Sequence, residues 1–201
     1  MVINKLTTLE NKQFYKKRRD EFKELYWSKK PENLAIPNGF QFYPSEIYDQ
    51  FALLMTGPGK VLDLGCGNGL LLKHLVRKSR NRLIPYGVDF LKKSITEAKK
   101  VVLPKFQENF TLCNFLECDF AGAPFDYILL DPDDVHPFDW RIFLKRAALS
   151  LSSKGIIIFY TYADSLRYFE IEWVGERRFL KKLKLKRIDG KGVSFAIYQP
   201  K

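Results

Sequence analysis

Short apolar runs alternate with amphipathic stretches through most of this 201-residue chain. Residues 60–64, 83–88, 110–115, 125–130 and 156–160 are apolar runs of strand length. Such runs suit strands buried on both faces of a parallel sheet. Residues 70–78, 92–102 and 140–151 lie between them and read as helices. In the last, Trp140, Phe143, Leu144, Ala147 and Leu151 share one face. Residues 152–155, Ser-Ser-Lys-Gly, read as the turn into the fifth strand. The repeated strand–helix order predicts an open, doubly wound, mostly parallel α/β fold. The end departs from this order: residues 184–188 and 193–198 flank Asp189-Gly190-Lys191-Gly192 and read as a hairpin.

Upstream of the first strand the pattern is helical. Residues 9–30 can place Phe14, Phe22, Leu25 and Tyr26 on one stripe, while Lys16, Lys17, Arg18 and Arg19 crowd another side. Residues 31–39 are a linker bounded by Pro31 and Gly39. Ser45 can cap a second helix carrying Ile47, Phe51 and Leu54, which Gly57-Pro58-Gly59 ends. The chain therefore divides into a basic helical extension with its linker, 1–39, and a ligand-binding domain, 40–201.

Composition narrows the function classes. The hydrophobic fraction of 46% supports a sizeable core. No apolar run approaches the ~18 residues of a membrane span, and the first ten residues lack the apolar core of a secretory signal. Three cysteines without framework spacing fit a reduced, cytoplasmic setting. Cys113 and Cys118 have no second Cys or His pair beside them, so no metal is expected. The net charge of +11 favours polyanionic partners.

The candidate chemistry begins at the first strand end. Asp63-Leu64-Gly65-Cys66-Gly67-Asn68-Gly69 is a glycine-crowded turn that lets backbone approach a ligand closely. A dinucleotide fingerprint needs G-x-G-x-x-G, but Leu70 holds its third glycine position and the glycine falls one residue early, at Gly69. Asp89 ends the second strand twenty residues after Gly69, where a carboxylate can accept from two hydroxyls. Asn114-Phe115 and Asp119-Phe120 are alternative polar ends for the third strand. Asp131-Pro132-Asp133-Asp134 follows the fourth. In an open α/β sheet these ends surround the ligand site. Plainer roles also exist for each: a tight turn, a cap, a strand stop, an ordinary loop histidine at position 136.

D-x-G-x-G-x-G resembles the S-adenosylmethionine (SAM) signature of class I methyltransferases, and the resemblance extends over residues 40–198. It implies a seven-stranded sheet with an antiparallel last strand and SAM as cofactor. It further implies that Gly65, Gly67 and Gly69 admit the methionine portion, that Cys66 and Asn68 offer backbone N–H groups, and that Asp63 partners the amino group. Asp89 would hold the ribose, and Phe90, Asn114 and Phe115 would flank the adenine. Residues 114–119 resemble the N-F-F-E-x-D segment of small archaeal protein-lysine methyltransferases, which favours Asn114 over Asp119. Residues 39–45 resemble a G-x-F-x-T-P segment that closes over SAM, so Tyr43 joins the cofactor candidates; Pro44-Ser45 stand where Thr-Pro would be.

Methyltransferases of base amines carry D/N-P-P-Y/F/W at the fourth strand end. Asp131 and Pro132 keep half of that motif and the adjacent aromatic is lost; His136, Phe138 and Trp140 lie just downstream. Asp131 is the first candidate for orienting the acceptor, and it also borders the cofactor. His136 is the candidate base. Two basic clusters, near 12–30 and 177–191, suit RNA, with Tyr15, Tyr26 and Trp27 as stacking surfaces near the first. A protein lysine, a small molecule, or SAM binding without catalysis remain alternatives.

Overall fold

A computed structural model describes residues 9–27, 45–80, 82–136, 139–161, 186–190 and 193–200. The described strands form one seven-stranded sheet in the order β3-β2-β1-β4-β5-β7-β6. They are β1 (Gly59–Leu64), β2 (Leu83–Asp89), β3 (Phe110–Leu112), β4 (Phe125–Leu130), β5 (Leu151–Thr161), β6 (Lys186–Gly190) and β7 (Val193–Tyr198). The first five pair in parallel. β7 inserts antiparallel between β5 and β6. This is the topology expected of the class I fold, and its strand order reverses beside β1, where such sheets bind ligands.

The described helices are α1 (Leu9–Trp27), α2 (Ser45–Leu54), α3 (Leu70–Lys78), α4 (Lys92–Glu97) and α5 (Trp140–Leu149). No helix among the described residues is long and apolar enough to cross a membrane. Alternation along the central strands feeds two cores. Val61, Leu129 and Ile158 pack with Phe51, Leu72, Leu75 and Phe110. Leu62, Leu64, Ile128, Leu130, Ile157 and Phe159 pack with Trp140, Phe143 and Ala147 of α5. A run apolar at every position is what two covered faces require.

Three local features differ from the sequence pattern. The stretch read as one helix over 92–102 is α-helical only to Glu97. A π-helical turn, Ala98–Val102, follows, closed by the Leu103 N–H on the Ala98 carbonyl at 2.9 Å. β3 stops at Leu112, three residues short of the apolar run. Residues 152–155 belong to β5: pairing runs from Phe125↔Leu151 to Tyr127↔Ile156, so the expected turn is absorbed as a bulge. Gly155 makes that bulge feasible, since a Cβ there would lie 2.6 Å from the Phe125 carbonyl.

Candidate active site

The glycine turn after β1 is tied to the end of β2 by backbone. The N–H groups of Gly65 and Cys66 both donate to the Val88 carbonyl, at 2.8 and 3.1 Å, and Gly69 N–H donates to the Cys66 carbonyl at 2.9 Å. The Cys66 N–H expected for a ligand is therefore already engaged. Its thiol points into the first core, where burial and then Asp89 push its pKa well up. The Asn68 side chain bonds Glu97. Gly67 has φ 54°, and a Cβ on it would meet nothing within 4 Å. The turn thus presents an open cradle at Gly67.

Two buried carboxylates flank this cradle. Asp89 is 7% exposed; its Oδ2 accepts the Gly67 N–H at 2.9 Å and its Oδ1 the Leu91 N–H at 2.7 Å. Burial raises its pKa to about 6 against the opposing pull of those two N–H groups. Asp63 is 2% exposed, and its Oδ1 has no hydrogen-bond partner. Burial, with Asp89 and Asp134 adding repulsion, pushes its pKa up to about 8. A buried polar atom without a partner is costly. A carboxylate in that state is suited to receive an ammonium group.

Beyond β3, Asn114 closes a tight turn: its Oδ1 accepts the Leu116 N–H at 3.0 Å, and its carbonyl accepts the Glu117 N–H at 2.8 Å. Arg146 of α5 fixes this turn by donating to the carbonyls of Phe115, Leu116 and Cys118. Phe90, Asn114 and Phe115 line a cavity of about 280 Å³, whose other wall is α1 through Lys12, Tyr15, Lys16, Arg18 and Arg19. Asp119 lies outside this lining and is exposed. A second, smaller cavity of about 40 Å³ is bounded by Gly65, Gly67, Asp89, Phe90, Ser94 and Asp134.

After β4, Asp131 caps a 3-10 turn, Pro132–Asp134, by accepting the Asp133 N–H at 3.0 Å. Burial and the neighbouring Asp134 raise its pKa well above the usual carboxylate range. α1 is docked on this loop. The Arg18 guanidinium lies 2.8 Å from Asp134 Oδ1. Burial opposes the Arg18 charge, but Asp134, Asp131 and Asp133 outweigh it and hold its pKa up. The Tyr15 hydroxyl donates to Asp139 at 2.6 Å and accepts the His136 N–H at 3.0 Å. The Phe14 ring stands edge-on to the His136 ring at 5.0 Å. The structure thus brings Asp63, Gly65, Gly67, Asp89, Phe90, Asn114, Phe115 and Asp131 to one edge of the sheet, with His136 beside α1. Tyr43 and Phe138 lie outside the described residues, as does the basic cluster near 177–191 except for the backbone of β6, Lys186–Gly190.

Sequence reasoning gave Arg18 no place in this site, read Tyr15 only as a stacking surface for RNA, and named Asp134 only as part of the segment after the fourth strand. Arg18 was readable only as one of four consecutive cations. A polar residue inside the α1 stripe, Tyr15 beside Phe14, was the available hint that this helix has a polar docking surface.

A family model for a methyltransferase domain matches residues 61–155, which span β1 to the bulge of β5. The ubiquinone biosynthesis O-methyltransferase of Bradyrhizobium diazoefficiens is 30% identical over 132 residues, 66% of this chain and 51% of that protein. A solved protein of Pyrococcus horikoshii superposes with a TM-score of 0.60 at 20% identity, covering 90% of this chain and 99% of that one. The chain carries a match to a methyltransferase domain and has the class I methyltransferase fold. It spans about half the length of the curated relative it matches. This fold is shared with a putative rRNA methylase of Clostridium thermocellum, at a TM-score of 0.53 and 20% identity over 80% of this chain and 99% of that one. The class I methyltransferase family implies SAM as the methyl donor. The residues present fit that group: Asp63, with an orphaned carboxyl oxygen and within electrostatic reach of Asp89 and Asp134, lies near the end of the strand that runs into the open turn at Gly67.

Proposed function

We propose that this protein transfers a methyl group from SAM to a nucleic-acid acceptor, RNA rather than DNA. The observation that carries the donor half is the buried, unpartnered Asp63 Oδ1 on the strand that runs into the open turn at Gly67. Asp63 meets the cofactor's amino group. Asp89 keeps lone pairs beyond its two backbone bonds and meets the ribose hydroxyls. Phe90, Asn114 and Phe115 receive the adenine in the larger cavity. When bound, the cofactor would supply an electrophilic methyl on a sulfonium, open to in-line attack at carbon by an acceptor lone pair as the C–S bond breaks and its electron pair goes to sulfur. The protein's part is chiefly positioning. Asp131 orients the acceptor, and His136 takes a proton where the acceptor must lose one.

The basic α1 supports the RNA reading. Lys12, Lys16 and Arg19 are exposed and line the mouth of the larger cavity, and the net charge is +11. One observation favours a small-molecule acceptor instead: α1 covers the His136 end, where a polynucleotide needs open access. Incubation with methyl-labelled SAM and a cell extract, followed by separate ribonuclease, deoxyribonuclease and protease digestion, tests the assignment. Label lost only to ribonuclease is expected. Label that resists ribonuclease and falls to protease, or runs as a small molecule, overturns it.

A further inference from the structure

Asp134 stands at the junction of the two cavities. It lines the larger one with Phe90, Asn114 and Phe115, and the smaller one with Gly65, Gly67 and Asp89. Its Oδ2 lies 3.1 Å from where a Cβ on Gly65 would sit. In SAM the sulfur joins the ribose to the amino-acid chain. A ligand reaching from Asp89 to the glycine turn therefore carries its sulfur past Asp134. The described carboxylate there already has a cation, the Arg18 guanidinium at 2.8 Å, delivered by a helix 116 positions earlier in the chain. The smaller cavity, at about 40 Å³, is also too tight for the cofactor's amino-acid end. Binding thus needs a local rearrangement of the residues that bound it.

We propose that Arg18 is a specificity-determining residue of the cofactor site: it competes with the sulfonium for Asp134 and so sets how strongly the site distinguishes the charged donor from its neutral product. The proposal rests on the SAM reading above. Before binding, Arg18 neutralises Asp134. When a sulfonium ligand binds, one carboxylate faces two cations, and the guanidinium, only 28% exposed where it stands, is displaced towards water. S-adenosylhomocysteine, the thioether product, has no charge at sulfur and leaves the Arg18–Asp134 pair its electrostatic advantage. A ligand shifts such an equilibrium only through its different affinity for the two arrangements. Arg18 therefore lowers the preference for sulfonium over thioether.

Calorimetric titration of SAM and of S-adenosylhomocysteine into the full chain reads this directly, without any transfer reaction. Arg18→Gln is expected to raise the ratio of SAM to S-adenosylhomocysteine affinity by about fivefold, and Arg18→Lys to keep the wild-type ratio. In an Asp134→Asn background, Arg18→Gln is expected to leave the ratio unchanged. Tyr15→Phe removes the bond from α1 to Asp139 without changing charge, and is expected to move both affinities by one common factor. A ratio unmoved by Arg18→Gln, or a Tyr15→Phe variant that shifts it as much, overturns the proposal alone. A wild-type protein that binds neither ligand overturns the SAM reading and this proposal with it.

Discussion

The two halves of the site are built by different means. The donor half is made of backbone: a glycine turn, N–H groups on the Val88 carbonyl, and two carboxylates at the ends of adjacent parallel strands. The proposed acceptor half is made of charged and aromatic side chains: Asp131, Asp134, His136 and Asp139 after β4, and Phe14, Tyr15 and Arg18 from a remote helix. A backbone site is set by local geometry and tolerates few substitutions. A side-chain site is set by long-range docking and can be retuned one residue at a time. The lesson is that a shared donor half says little about the acceptor.

The largest expected effect strikes the donor half. Asp89→Ala removes the acceptor of two backbone N–H groups and both proposed ribose contacts, and is expected to weaken SAM binding roughly a hundredfold or more by calorimetry. An unchanged affinity would dissolve the donor half as drawn. Asp131→Ala probes the other side. Turnover with the identified acceptor should fall about a hundredfold, with SAM affinity within about twofold; parallel loss of both would move Asp131 into the donor half.

Two glycines separate binding from folding within the donor half. Gly67→Ala costs roughly 1–2 kcal/mol of left-handed backbone strain, and its Cβ enters the open cradle, so SAM affinity should drop about tenfold in a folded protein. Gly87→Ala puts a Cβ 2.6 Å from Cys66 Sγ and 2.7 Å from Phe110. It should instead lower stability by about 1–3 kcal/mol, read as a fall in Tm.

Asp63 links the cofactor to pH. Unfolded, it titrates near 3.8; folded, it holds its proton to about 8. The folded state binds more protons across that window, so this group's contribution to stability is lost as pH rises from about 4 to about 8. Asp63→Asn should therefore raise the Tm of the cofactor-free protein near pH 8, leave it unchanged near pH 4, and weaken SAM binding. An ammonium arriving at Asp63 expels its proton, so SAM binding at pH 7 should release protons, seen as a buffer-dependent calorimetric enthalpy. The smallest effect lies at the rim. Lys16→Ala should lower the salt slope of RNA binding by about 0.7 to 0.9 while sparing SAM affinity.

The strand ends and the glycine turn were legible in the sequence, because strands buried on both faces and a spaced glycine turn write themselves as contiguous patterns. Asp63 and Asp89 fell at strand ends for that reason. Local detail was less visible. A bulge absorbs Ser152 to Gly155 into β5, and a π-helical turn replaces the end of the α4 helix, because sheet register and core packing override residue-by-residue turn preference. The docking of α1 left no periodic trace. Arg18 read as one of a run of cations and Asp134 as part of the segment after the fourth strand, and only the fold places them 2.8 Å apart.

The same contrast has a kinetic consequence. The Gly67–Asp89 bond closes 22 residues of chain, whereas Tyr15–Asp139 and Arg18–Asp134 close 124 and 116. Loop-closure entropy grows with separation, and contacts that span much of the chain form slowly. α1, made before the partners it docks on, has to wait for Asp134, His136 and Asp139 before it can settle. During that interval the nascent chain carries an assembled glycine turn with no basic wall above it.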